Sequence, residues 1–348
     1  MGKRVAVIAG DGVGKEVIPV GMDVVSAVVP EVDFEPLPWG CEYYEHSGRM
    51  MPEDGLTTLA EFDAIYLGAI GWPTVPDHLS LWGLLLPIRK TFDQYVNVRP
   101  VRLLPGIRTP LADRGPDDID MLFLRENTEG EYSGTGGRVH VGTALELAVE
   151  VPVFTRQAIE RVARYAFERA RERRKQLISV TKSNASRFTY VLWDEVVAGV
   201  GTDFPDVGVE KVLVDAMAAR MVSRPDTIDV VVGSNLFADI LTDLGAAIQG
   251  SMGLAASANL DPSRRHPSMF EPVHGSAPDI AGKGRANPIG AVWSAALMLD
   301  HMGEVDAARR VERAIDAVTD EGTALTADLG GKASTREVGE ALLTALRS

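Results

Sequence analysis

The chain has 348 residues, enough for two domains or one large α/β unit with a substantial core, and 45% hydrophobic content marks an ordinary globular protein. Lys+Arg 35 against Asp+Glu 49 leaves a net charge of −14, which argues against nucleic acid or an anionic membrane as partner. A lone cysteine, Cys41, excludes an intrachain disulfide framework, and the chain shows neither a signal peptide nor a bilayer-length apolar run, so a cytoplasmic protein is expected.

Residues 4–9 read as a strand, GDGVG as a tight glycine turn and residues 16–29 as a helix. The turn is G-x-G-x-G, so the dinucleotide fingerprint fails; Ala9 and Glu16 likewise break the P-loop pattern. A buried strand over 62–68 leads to a proline-rich loop and a helix over about 84–94, whose start near Leu84 is expected because Pro87 suits only a first helical turn. VNVRPVRLLPG is extended, residues 119–125 form a strand, and the glycine-rich stretch that follows suggests a β excursion. An amphipathic helix at 156–174, a strand at 176–181 and another ending in VLVD at Asp215 come next. After the glycine-rich loop EPVHGSAPDIAGKGRANP, apolar helices are expected at 289–302 and 307–318. Alternating strands and helices indicate an α/β architecture.

The stretch IDVVVGSNLFADILTDLGAA carries the first chemical signal. A β-branched strand ends at Val232, and Ser234 or Asn235 can cap a helix bearing Asp239 and Asp243. That spacing places two carboxylates about 5–6 Å apart at Cβ, which is unfavourable without a cation between them. A solvated pair on an exposed face is the competing reading. Leu236, Phe237, Ile240, Leu241 and Leu244 leave little other polar surface, however, and a hard cation such as Mg²⁺ or Mn²⁺ would suit the site. Arg89, Arg99 and Arg125, if convergent, would hold a substrate with two carboxylates through bidentate guanidinium forks.

GDGVGKEV, LRENTEGEYSG, TKSN, SNLFADILTDLG and FEPVHGSAPDIAGKGRANP together resemble the metal-dependent β-decarboxylating dehydrogenases, in order over nearly the whole chain. That family includes the isopropylmalate, isocitrate, homoisocitrate, tartrate and D-malate enzymes. The resemblance implies a two-domain α/β fold with a large mixed sheet rather than a Rossmann fold. Residues 1–100 and 255–348 would form the large, cofactor-side domain and 101–254 the small one, with an intersubunit β clasp near 133–155. It also implies oxidation of a 2-hydroxy acid followed by loss of the C3 carboxylate.

Matching motifs place Arg89, Arg99 and Arg125 on the substrate carboxylates and Asp215, Asp239 and Asp243 on Mn²⁺ or Mg²⁺. Lys182 would take the hydroxyl proton, with its pKa depressed by the neighbouring metal and arginines, and Tyr132 would protonate the enol carbon. In such enzymes Lys182 and Asp215 would enter the other subunit's site, so a homodimer is expected. A monovalent cation such as K⁺ is left open. The cofactor-binding set would be His274, Gly275, Ala277, Asp279, Ile280 and Asn287. Asp279 can bind two ribose hydroxyls and repels a 2′-phosphate, which favours NAD. Two residues depart from the family pattern: Arg285, which could tolerate some NADP, and Lys15, for which the sequence offers no account.

Substrate choice is read from VPDHLSLWGLLLPIRK, where Trp82, Leu85 and Leu86 would share a helical face with Arg89. A tryptophan, burying on the order of 200 Å², would fill much of the pocket that isopropylmalate enzymes leave open behind a glutamate. D-malate or tartrate is therefore expected, with 3-isopropylmalate as the alternative should Trp82 pack outward. A non-catalytic binding paralogue would have lost an arginine, the base or a metal aspartate, and none is missing.

Overall fold

The β-branched runs become the centre of one ten-stranded sheet. The computed structural model describes residues 2–347. The chain begins β1 (Arg4–Gly10), α1 (Gly14–Val28), β2 (Asp33–Pro36), α2 (Cys41–Ser47), α3 (Gly55–Leu59) and β3 (Ala64–Ala69). Helices α4 (Asp77–Ser80) and α5 (Leu86–Thr91) flank one wide turn, Leu81–Leu85, before β4 (Val96–Arg102) and β5 (Asp120–Glu126). An exposed hairpin of β6 (Gly136–Val139) and β7 (Leu147–Glu150) precedes α6 (Arg156–Arg171), β8 (Gln176–Thr181), α7 (Thr189–Gly201), β9 (Gly208–Leu213) and α8 (Val214–Ser223). Then come β10 (Val230–Gly233), α9 (Asn235–Ile248), β11 (Ala256–Leu260) and β12 (Ser268–Pro272). Helices α10 (Ile289–His301), α11 (Val305–Glu321) and α12 (Thr335–Ala345) follow.

The sheet order is β2-β1-β3-β12-β11-β4-β5-β10-β8-β9. Pairing is parallel towards both edges and antiparallel through β12–β11–β4–β5 at the middle, the mixed α/β sheet that the family resemblance implies. Strands from residues 1–100 and 255–348 occupy one half and strands from 101–254 the other, meeting at the β4–β5 ladder. Successive side chains of β1 enter opposite layers: Val5 and Val7 pack under α1 and α10, while Ala6 and Ile8 pack with Trp39, Leu59 and Ile88. Both faces are therefore covered, which leaves the strand ends to carry chemistry.

Two local expectations change. The helix expected near Leu84 is entered earlier, at Asp77. Pro87 lacks an N–H, and the chain accommodates it with a wide turn in which the Leu86 N–H donates to the Leu81 carbonyl. Asp215 lies in the first turn of α8 rather than on β9, because the strand ends at Leu213.

Candidate active site

Three arginines come together from three elements. Arg89 is supplied by the last turn of α5, Arg99 by β4 and Arg125 by β5. Arg99 pairs with Phe123 across the antiparallel ladder, so Arg125 is its diagonal neighbour on the same face. All three are buried, at 6%, 7% and 2% exposure, so none is an ordinary surface ion-pair member. Arg89 donates to Glu271 at 2.7 Å, and Arg99 donates to Thr242 Oγ1 at 2.6 Å. Arg99 and Arg125 share one carboxylate oxygen, Asp239 Oδ1, while Arg125 Nε donates to Asn235 Oδ1 at 2.8 Å. Nε of Arg89 and of Arg99 is buried without a hydrogen-bond partner. Buried donors left open in this way favour an anionic ligand.

Asp239 and Asp243 stand one turn apart on α9, whose N-terminus is capped by Ser234 Oγ accepting from Phe237 N–H. Their electrostatics diverge. Burial pushes the Asp239 carboxyl upward, but Arg125, Arg99 and Arg89 outweigh it and hold it below the usual carboxylate range. Asp243 is pushed up, first by partial desolvation and then by the Asp239 charge. Its carboxylate has no hydrogen bond or ion pair with the described residues, and the more distant Arg99 and Arg125 offset its desolvation only in part. This donor set fits a hard divalent cation. Tyr132 donates to Asp239 Oδ2 at 3.2 Å, and burial followed by the Asp239 charge raises its pKa, so the phenol stays protonated.

Lys182 follows β8 and Asp215 follows β9, two strands nearer the sheet edge than β5 and β10. Lys182 Nζ donates to Asp215 at 2.7 Å, and that hydrogen bond lowers the Asp215 pKa. Neither residue touches the arginine–Asp239 cluster. Among the described residues, no group of three His, Cys, Asp or Glu side chains could hold a metal. One chain therefore presents two separate halves of the expected constellation.

The cofactor motif forms the loop between β12 and α10. Val13 N–H donates to the Ser276 carbonyl at 2.9 Å, and a side chain at Gly12 would meet that oxygen at 2.0 Å, so the first glycine turn packs directly on this loop. Glu16 accepts from Gly282 and Gly284 N–H at 2.6 and 2.7 Å, organising the GKG segment. A cavity of about 600 Å³ lies between residues 70–77 and Gly275–Pro278. His274 Nε2 is buried and without a partner among the described residues, and desolvation lowers its pKa, which favours a neutral ring. The exposed Asp279 carboxylate has no hydrogen bond or ion pair among the described residues, while Ala277 adopts φ +40° and Ile280 is half-buried beside it. Asn287 is more committed than expected, donating to Asp328 at 3.0 Å and accepting from Ile289 N–H. Lys15 forms a 2.5 Å ion pair with Glu42, joining the first turn of α1 to α2.

Around Trp82 the wide turn breaks the regular helical face. Leu86 is 1% exposed and Trp82 41% exposed, so the expected common face with Leu85 and Arg89 is not a continuous α-helical stripe. The indole lies between Lys90, whose Nζ is 4.9 Å from a ring centroid, and Gly134. Sequence reasoning missed Asn235, Thr242 and Glu271, which hold the arginines. Asn235, Asp239, Thr242 and Asp243 fall at helical spacing, so that polar stripe was available to be read. Glu271 carried no comparable signal.

The isocitrate/isopropylmalate dehydrogenase family model matches residues 4–342. The chain is 54% identical to the "Probable tartrate dehydrogenase/decarboxylase TtuC" of Agrobacterium vitis, over 99% of this chain and 96% of that protein. It is 51% identical to the D-malate dehydrogenase [decarboxylating] of Escherichia coli, over 97% of each. The isocitrate dehydrogenase structure from Methylococcus capsulatus superposes with a TM-score of 0.91 at 34% identity, covering 99% of this chain and all of that one. With the motifs in their expected order and three buried arginines from a helix and two strands gathered beside Asp239, the chain belongs to the isocitrate/isopropylmalate dehydrogenase family.

Proposed function

We propose that this chain is an NAD- and divalent-metal-dependent enzyme that oxidatively decarboxylates a small 2-hydroxy diacid, D-malate or tartrate, as a homodimer with shared sites. The observation that carries this reading is the set of three buried arginines around Asp239, beside an Asp243 carboxylate with no hydrogen bond or ion pair among the described residues. Buried guanidinium groups select a dianionic substrate, and the adjacent acids complete a cation site. The relatives named for tartrate and D-malate support the substrate class.

In this reading Arg89, Arg99 and Arg125 orient the two carboxylates. Asp239 and Asp243 hold the cation, with the partner's Asp215 supplying a third carboxylate. The partner's Lys182 receives the C2 hydroxyl proton. NAD, against His274, Gly275, Ala277, Asp279, Ile280 and Asn287, supplies the hydride acceptor, and the metal supplies Lewis acidity for decarboxylation. Tyr132, protonated and hydrogen-bonded to Asp239, delivers a proton to C3 of the enol. The exposed β6–β7 hairpin, with Val139, Leu147 and Val149 each about half exposed, fits a clasp against a second copy.

Comparing kcat/KM for D-malate, tartrate and 3-isopropylmalate with Mn²⁺ and NAD tests the assignment. The small diacids are expected to win by at least tenfold. Preference for 3-isopropylmalate would overturn the role of Trp82. That second reading has one observation in its favour. Trp82 borders a cavity of about 530 Å³, lined also by Tyr44, Met50, Met51 and Leu79, into which the indole could turn.

A further inference from the structure

Lys90 follows the substrate arginine Arg89 yet faces other partners. Its ammonium donates to the Tyr132 carbonyl at 2.9 Å and to the Ser133 carbonyl at 3.1 Å. On its other side it sits 4.9 Å from a Trp82 ring centroid, within cation–π range. The next residue along the Tyr132 loop, Gly134, adopts φ +79°, and a Cβ there would lie 2.5 Å from the end of the same indole. One cation thus joins three things: the backbone that carries Tyr132, the base of the β6–β7 hairpin and the Trp82 indole.

The surroundings single out this contact. The start of the loop is fixed independently by buried Glu126, which accepts from Thr128 N–H, Thr128 Oγ1 and Glu129 N–H at 2.8–3.0 Å. Glu131 is tied to Tyr190 at 2.9 Å. Beyond Glu131, Lys90 alone among the described side chains donates to the backbone carbonyls of Tyr132 and Ser133. A donor-only group with three protons suits two carbonyls and an aromatic face together.

We propose that Lys90 is a positioning residue: by holding the Tyr132 and Ser133 carbonyls against the Trp82 indole, it sets proton delivery and substrate size selection in one arrangement. This inference rests on the roles proposed above for Tyr132 and Trp82. Lys90 itself touches no reacting atom.

The test uses the full-length enzyme with Mn²⁺, NAD and D-malate, comparing Lys90→Met, Lys90→Arg and Tyr132→Phe. In Lys90→Met, kcat is expected to fall on the order of 10–100-fold, the cost of a misplaced catalytic group, while KM for D-malate moves less than about threefold. The solvent deuterium isotope effect on kcat should rise as proton delivery becomes slower. The D-malate to 3-isopropylmalate ratio of kcat/KM should fall as the indole loosens. Lys90→Arg, which can donate to the carbonyls and stack on the indole, should recover kcat to within about tenfold of wild type. Should Lys90→Met lose its circular dichroism signal, Lys90→Gln carries the same three readouts. Wild-type kcat, isotope effect and substrate ratio in the neutral Lys90 variant, alongside an impaired Tyr132→Phe, would overturn the role of Lys90 alone. Full activity in Tyr132→Phe would remove Tyr132 as donor, and this inference with it.

Discussion

Asp239 and Asp243 share a proposed function but not an energetic role. The Asp239 pKa is depressed in the folded chain, so its contribution to stability is present above the ordinary carboxylate range and is lost as pH falls through the depressed value. Asp243 is raised, so its ionisation opposes folding once pH exceeds the unfolded value, and protonation relieves that cost. Metal-free Asp239→Asn should therefore lose about 3 kcal/mol in urea unfolding at neutral pH, because buried arginines are left without their carboxylate. Metal-free Asp243→Asn should keep its melting temperature or gain about 1–2 °C. Added Mn²⁺ should raise the wild-type melting temperature and leave both variants unmoved. Equal destabilisation of the two metal-free variants would contradict this division. The helix spacing of the two acids was legible in the sequence, whereas the opposite signs of their shifts depend on which acid lies nearer the arginines.

At the scale of elements, the expectations that held were those carried by long periodic patterns. Strands β1, β3, β5 and β8 and helices α1, α6, α9, α10 and α11 fall within a few residues of the expected positions. The departure at Pro87 has a local cause. A proline rules out an ordinary interior turn, but a sequence pattern does not say whether the chain starts its helix there or widens one turn to pass it. That choice sets the register of Trp82, and with it the position of the indole against Lys90 and Gly134. Gly134 is the complementary constraint, since its left-handed backbone and the indole beside it both exclude a side chain. Gly134→Ala should cost about 1–2 kcal/mol in urea unfolding. It should also raise activity on 3-isopropylmalate relative to D-malate as Trp82 is displaced. An unchanged substrate ratio would separate Trp82 from size selection.

For the whole molecule, the separation of Lys182 and Asp215 from the Asp239 cluster makes a quantitative demand on assembly. If sites are shared, Asp243→Asn and Lys182→Met are each inactive alone, yet a hybrid dimer contains one intact site. Mixing equal amounts of the two after reversible dissociation should restore about a quarter of wild-type activity, since half the dimers are hybrids with one working site of two. No recovery would place each complete site within one chain. The sequence motifs supplied the members of this site, but their division into two groups lies in strand order, which puts β8 and β9 beyond β10.

The antiparallel seam has a further consequence. β4 and β5 share seven register pairs, from Val96–Glu126 to Arg102–Asp120, and β4 also pairs with β11. The two halves of the chain are therefore welded through backbone rather than tethered by a linker. Any motion of one half against the other is distributed as twist along the sheet, and neither half can melt without stripping hydrogen bonds from the other. Differential scanning calorimetry should record a single endotherm whose calorimetric and van't Hoff enthalpies agree per cooperative unit, despite a two-part architecture that would ordinarily give two.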